Sequence, residues 1–233
     1  MKIFHISDLH IRSDMKHNFN VESKLYSLQN KLDVGNFVIC TGDITDDGSS
    51  IQYTNALKLL TPFRNRIFLV PGNHDYGPAG NFYDRKCATR FMELKEAIGY
   101  PSLEFYGLRI LEIDSNLRTK NPFDLARGDV GWWDRRKIRN FGLRCKKDKK
   151  TSLVCLHHTP FEEHWALEMK DPESFLRACE GYVDYVLVGH EHKKRIISFN
   201  RSGTQQGTVY YSAPSLADKD AEAQPLEINI QLT

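Results

Sequence analysis

Nowhere in the 233 residues is there an apolar run approaching the roughly 20 residues that a membrane helix requires. Cysteine is sparse. The five (Cys40, Cys87, Cys145, Cys155, Cys179) are odd in number and form no C-x-x-C pair. That pattern excludes a disulfide framework and a cysteine zinc site, and reads as reduced thiols in a cytosolic protein. Charge of one sign is also lacking: 32 Lys and Arg face 30 Asp and Glu, for a net charge of +2. So small a bias predicts no broad electrostatic grip on nucleic acid or membrane, although a local basic patch remains open. No internal repeat, coiled-coil pattern or low-complexity tract is visible. The N-terminal stretch before Asp8 is too short for the apolar core of a secretory signal. A cytoplasmic location with no membrane partner is the expectation.

The composition is that of an ordinary globular protein, 40% hydrophobic, 11% aromatic and 27% charged. A chain of this size can bury roughly 70–75% of its unfolded surface in one core, so residues 1–233 are read as a single domain. Short apolar, β-branched runs at 3–6, 37–40, 67–70, 153–156 and 183–188 read as buried strands. Between the early runs lie helical spacings: Val21, Leu25, Leu28 and Leu32, then Tyr53, Ala56, Leu57 and Leu60, then Phe91, Leu94 and Ile98. Strand–helix alternation of this kind predicts a parallel α/β sheet. The second half adds strands: a pair turning near Gly107, another at 196–199 and 209–212, and the alternating Leu226, Ile228, Ile230 and Leu232. Two sheets face to face with helices outside fit this inventory. The cluster at 144–150 reads as a solvated loop, and at least one of Trp132 and Trp133 as core.

The informative residues stand directly after each buried strand. The segments are Ser7-Asp8-Leu9-His10, Thr41-Gly42-Asp43-Ile44-Thr45-Asp46, Pro71-Gly72-Asn73-His74-Asp75, His157-His158-Thr159-Pro160 and Gly189-His190-Glu191-His192. Ligands of parallel α/β sheets bind beyond the carboxyl ends of the strands, so these segments are expected along one edge of one sheet. Asp and Asn offer hard oxygen and His offers borderline nitrogen, a mixture suited to Zn, Mn or Fe better than to Ca. The candidates Asp8, His10, Asp43, Asn73, His157, His190 and His192 are too many for one tetrahedral ion. They suit two ions sharing a carboxylate, the usual device for displacement at phosphorus.

Taken in order, these segments resemble the motifs of the calcineurin-like metallophosphoesterase superfamily: D-x-H, G-D-x-x-D, G-N-H-D/E, a later H, and G-H-x-H. The resemblance spans positions 8–192. It implies a four-layer αββα sandwich. It implies that Asp8, His10, Asp43 and His192 bind one transition-metal ion and Asp43, Asn73, His157 and His190 a second, the ions being Mn, Fe, Zn or Ni. It aligns the ligand with His157 and leaves His158 behind the ligands or facing substrate. It further implies in-line attack of a metal-bridging hydroxide, with His74 as general acid oriented by the carboxylate of Asp46. Protein phosphatases of the superfamily carry G-D-x-x-D-R-G, whereas this chain has Asp47 in place of that arginine. A carboxylate there repels a dianionic monoester more than a singly charged diester. Asp47 also suits the cap of a helix starting near Ser49 and Ser50. Asp75 is read as a loop residue or as one directly useful to substrate.

In detail the motifs look like those of class III cyclic nucleotide phosphodiesterases. The expected activity is hydrolysis of phosphodiesters, among them cyclic or other small nucleotides. The alternatives are a phosphomonoesterase or protein phosphatase, a nuclease, or an inactive scaffold of the same fold. Nucleic acid is an open partner but a less favoured one. Lys193, Lys194 and Arg195 read as a solvated strand edge, and Asn200-Arg201-Ser202 as a glycosylation pattern without a secretory context.

Overall fold

The chain alternates strands and helices in a computed structural model that describes residues 1–77, 82–99, 102–105, 107–119, 121–124, 126–200, 207–220 and 223–232. β1 (Lys2–Ile6), β2 (Phe37–Cys40) and β3 (Ile67–Leu69) are joined through α1 (Phe19–Asn30) and α2 (Ser50–Leu60). α3 (Arg85–Ile98) leads to the hairpin of β4 (Glu104–Phe105) and β5 (Leu108–Glu112). The chain continues through α4 (Trp132–Lys147), β6 (Thr151–Cys155), α5 (Pro172–Cys179), β7 (Tyr185–Val188), β8 (Arg195–Phe199), β9 (Thr208–Ser212) and β10 (Leu226–Asn229). The strands form two sheets, ordered β10-β1-β2-β3 and β4-β5-β6-β7-β9-β8. Both are mixed: β1, β2 and β3 run parallel with β10 antiparallel at one edge, and β5, β6, β7 and β9 run parallel between antiparallel β4 and β8.

Strand alternation sorts the apolar residues into three cores. Ile3, Phe37, Ile39, Leu153, Cys155 and Leu187 point inward between the sheets. Their neighbours Phe4, Ile6, Val38 and Cys40 face α1, α2 and α3. Val154, Val186 and Val188 face α4 and α5. Strands buried on both faces read as continuous apolar runs, which is why periodicity exposed them. Three cores between four layers make an αββα sandwich. Among the described residues no helix is long and apolar enough to cross a membrane.

Several expectations need correcting. The strands bearing the polar segments belong to both sheets: β1, β2 and β3 to one, β6 and β7 to the other. The segments therefore converge where the carboxyl edges of two sheets meet, and one sheet edge does not hold them all. Residues 144–147 are the last turn of α4, so the expected loop is confined to 148–150. Trp132 and Trp133 are both exposed, at 54% and 74%. The buried stripe of α4 is Ile138, Phe141, Gly142 and Cys145. Continued one turn back, it falls on the half-buried Asp134 and Arg135 and misses both tryptophans. Leu57 is exposed on α2, and Leu32 packs on the core from beyond the end of α1. Arg195 opens the edge strand β8 with Lys193 and Lys194 exposed before it. Arg201 and Ser202 lie outside the described residues.

Candidate metal centre

The loop after β1 and the loop after β2 stay zipped beyond the sheet. The Asp8 amide donates to the Gly42 carbonyl at 3.0 Å, the His10 amide to Asp43 at 2.9 Å and the Ile11 amide to Ile44 at 2.9 Å. The same device joins the other sheet, where the Gly189 amide donates to the His157 carbonyl at 2.8 Å. To aim their side chains, these loops adopt left-handed backbone at Asp8 (φ 53°), His10 (43°), Asp43 (49°), His190 (73°) and His192 (56°). Non-glycine residues rarely occupy that region, and each such residue costs roughly 1–3 kcal/mol that the surroundings must hold in place. Only two other described non-glycine residues share it, Asn65 and Lys149. Gly42 lies between the loops at φ 103°, where a Cβ would stand 2.6 Å from His157 Nδ1. Gly72 serves by close approach: a Cβ there would overlap the Asp43 carboxylate.

Two groups of donor atoms result. In the first, His192 Nε2 stands 3.3 Å from Asp8 Oδ1 and 3.4 Å from His10 Nε2. In the second, His157 Nε2 stands 3.3 Å from Asp43 Oδ2, 3.2 Å from Asn73 Oδ1 and 3.2 Å from His190 Nδ1. Asp43 Oδ2 also lies 3.9 Å from His10 Nε2, so one carboxylate oxygen adjoins both groups. Its other oxygen accepts the His74 amide at 2.9 Å. His157 Nδ1 donates to the Thr41 carbonyl at 2.7 Å, which fixes the ring and leaves Nε2 as a lone pair in the neutral form. A carboxylate oxygen, an amide oxygen and two imidazole nitrogens thus face one another in a buried space.

Such a set is repulsive without a cation at its centre. Its carboxylates and imidazoles shift one another's protonation. Burial disfavours the His157 cation, but the Asp43 and Asp8 carboxylates outweigh burial and raise its pKa to about 9. His10 behaves alike: burial opposes the charge, and Asp46, Asp43 and Asp8 raise its pKa to about 9. Burial and the neighbouring His157 lower His190 to about 4. Asp8 is held at about 2, because His192 and His157 overcome the penalty of its burial. The residues fit a pair of ions of borderline character bound through oxygen and imidazole nitrogen.

The supporting residues differ in part from expectation. The His74 ring does lean on Asp46, but Nδ1 donates to the main-chain carbonyl of Asp46 at 2.7 Å. The Asp46 carboxylate lies instead 3.4 Å from His10 Nδ1 and 3.5 Å from Arg12 Nε. Its carboxylate thus lies beside His10, and the contact with His74 is made by its backbone. Asp75 is fully buried and accepts from the amides of Ile44 (3.2 Å), Thr45 (2.9 Å) and Gly72 (2.9 Å) and from Thr45 Oγ1 (3.2 Å). It ties two of the loops together and has no surface for substrate. Asp47 accepts the Ser49 amide at 2.9 Å, at the N-terminus of α2. His158 is buried on Ser115 Oγ, 2.9 Å from its Nδ1, and Gly128 leaves no room for a Cβ against its ring. It stands behind the ligand candidates, away from solvent. The sequence reading missed Arg12, Thr41 and Ser115. Arg12 was within reach of pattern, since it continues the alternation of Asp8 and His10. The parts of Thr41 and Ser115 depend on pairings between segments distant in the chain.

Comparison with known proteins agrees with this geometry. A probable glycerophosphodiester phosphodiesterase of Arcobacter nitrofigilis is 28% identical over 221 residues, spanning 86% of this chain and 75% of that protein. A 3',5'-cyclic adenosine monophosphate phosphodiesterase of Escherichia coli is 25% identical over 173 residues, spanning 70% of this chain and 56% of that one. In fold, a dimetal phosphatase from Danio rerio superposes with a TM-score of 0.67 at 11% identity, over 97% of this chain and 90% of that one. The profile of the calcineurin-like phosphoesterases matches residues 1–194, a span that takes in every loop of the metal centre, and the chain belongs to that family.

Proposed function

We propose that this chain, acting as one domain over residues 1–233, hydrolyses small phosphodiesters at a dinuclear metal centre. The observation that carries the reading is the position of Asp43 Oδ2, shared between two groups of donors. Asp8, His10, Asp43 and His192 would hold one ion, and Asp43, Asn73, His157 and His190 the other, with Mn, Fe, Zn or Ni as candidates. Bound there, such ions neutralise charge on the phosphoryl oxygens and supply a water acidic enough to act as nucleophile near neutral pH. His74 donates Nδ1–H to Asp46, so its Nε2 is the atom from which the imidazolium delivers a proton to the leaving oxygen. Asp46 also keeps His10 Nε2 directed at its neighbours by holding Nδ1. The diester preference is supported by relatives named as phosphodiesterases and by the carboxylate of Asp47, which takes the place of an arginine suited to a dianion. Five free, buried cysteines suit a reducing compartment such as the cytoplasm.

The test is hydrolysis of an aryl phosphodiester against the matching monoester by manganese-loaded protein, with Asp43→Asn as blank. A kcat/KM for the diester about tenfold or more above that for the monoester is expected. The opposite preference would assign the site to monoesters, and turnover equal to the blank on both would remove the catalytic reading.

A further inference from the structure

The net charge of +2 is very unevenly spread. α4 alone carries Arg135, Arg136, Lys137, Arg139, Arg144, Lys146 and Lys147 against a single acid, Asp134. The rest of the chain is therefore net acidic. A cleft of about 390 Å³ runs between α4 and α5, lined by Trp132, Arg135, Arg136, Arg139, Ser174 and Arg177. Two of its arginines already have carboxylates: Arg135 Nη1 lies 3.3 Å from Asp171 and Arg177 Nη1 3.7 Å from Glu173. Arg136 and Arg139 form no ion pair among the described residues. These two remaining like charges, side by side in the cleft, favour an anionic ligand.

The aromatic part is equally specific. The Arg136 guanidinium stands 5.5 Å from the centre of the Trp132 ring. Trp133 meets Trp132 edge to face at 4.5 Å. Both indoles are exposed because the buried stripe of α4 bypasses them, so they offer aromatic surface for stacking beside the guanidinium that lies over Trp132. Guanidinium forks match phosphate oxygens, and open indole faces match unpaired bases. A flat membrane cannot enter a cleft, and a duplex offers no free base face.

Position strengthens the case. α4 and α5 each come after a loop leaving the carboxyl edge of the second sheet, so both N-terminal ends lie at the edge that carries the metal centre. The strand-like contact of Gly128 with Met169 joins the two approaches, and Gly128 also packs on His158. The cleft lies in the outer helical layer, between α4 and α5.

We propose that the α4–α5 cleft binds single-stranded nucleic acid, with Arg136 and Arg139 on backbone phosphates and Trp132 and Trp133 stacking on bases. This surface is separate from the metal centre and does not depend on the hydrolytic reading above.

The test uses the full metal-loaded chain and a fluorescein-labelled oligothymidylate of about 12 nucleotides, read by anisotropy, with the integrity of the strand checked on a gel. Saturable binding is expected, with log K falling against log salt at a slope of roughly −1.4 between about 50 and 200 mM, as for two phosphate contacts. Arg136→Glu with Arg139→Glu should weaken it about tenfold or more while leaving hydrolysis of a small aryl diester unchanged. Binding should quench tryptophan fluorescence in wild type but not in Trp132→Phe/Trp133→Phe. These residues are exposed, and circular dichroism verifies that the variants fold. Absence of saturable binding overturns the proposal. So does binding indifferent to the four residues, or tighter arginine-dependent binding to phosphatidylserine vesicles than to the oligonucleotide.

Discussion

Asp46 shows how two atoms of one residue divide the work of a site. Its carbonyl oxygen holds His74 and its carboxylate holds His10. Asp46→Asn keeps the first contact and weakens the second. Loss of an outer partner of a ligating histidine typically costs 10–100-fold in metal affinity. We expect that loss in a manganese titration of Asp46→Asn, with turnover returning at saturating metal. Turnover that stays low at saturation would place the carboxylate at His74 after all. The candidate ligands were legible in the sequence because acid, amide and imidazole residues come after apolar strands in a characteristic order. Their supports were not. Whether Asp46 acts through side chain or backbone is decided by the left-handed turns at His10 and Asp43, and no residue pattern encodes those turns.

At the scale of elements, strands and helices were readable wherever periodicity is driven by burial on the same element. The two sheets were harder to separate. Strand patterns report that both faces are covered, but not which strands are neighbours, so the convergence of β1, β2, β3, β6 and β7 from two sheets was misplaced onto one. The misreading of Trp132 and Trp133 has a similar source, since hydrophobic residues at a helix start join the core only if they fall on its buried stripe. Asp75 is the residue that joins elements most directly, bridging the loop after β2 to the loop after β3. Asp75→Ala would leave the Ile44, Thr45 and Gly72 amides without their acceptor. At about 1–3 kcal/mol per unsatisfied buried group, a loss of about 3 kcal/mol or more is expected. Calorimetry should show Tm lowered by about 6–12 °C. A fall below about 2 °C would mean that the loops hold their shape without this carboxylate.

For the whole molecule, the important fact is that the candidate metal donors come from both halves of the sandwich. Asp8, His10, Asp43 and Asn73 stand on the first sheet's loops, and His157, His190 and His192 on the second's. Ions bound there would cross-brace the two sheets, and binding to the folded state alone would stabilise it by about 2.7 kcal/mol at a hundredfold excess over Kd. Stripping the protein with chelator should lower Tm by about 5–10 °C, and readdition of manganese should restore it. A Tm unchanged by metal would show that the donors do not bind it in the folded chain.

The arrangement of the first sheet also bears on how the protein is made. β1 is flanked by β2 and by β10, so it completes its hydrogen bonds only when residues 226–229 are in place. His192, which stands against Asp8 and His10, follows them by more than 180 residues in the chain. An ion held by these candidate donors would therefore meet the complete set only once the two sheets have closed on each other.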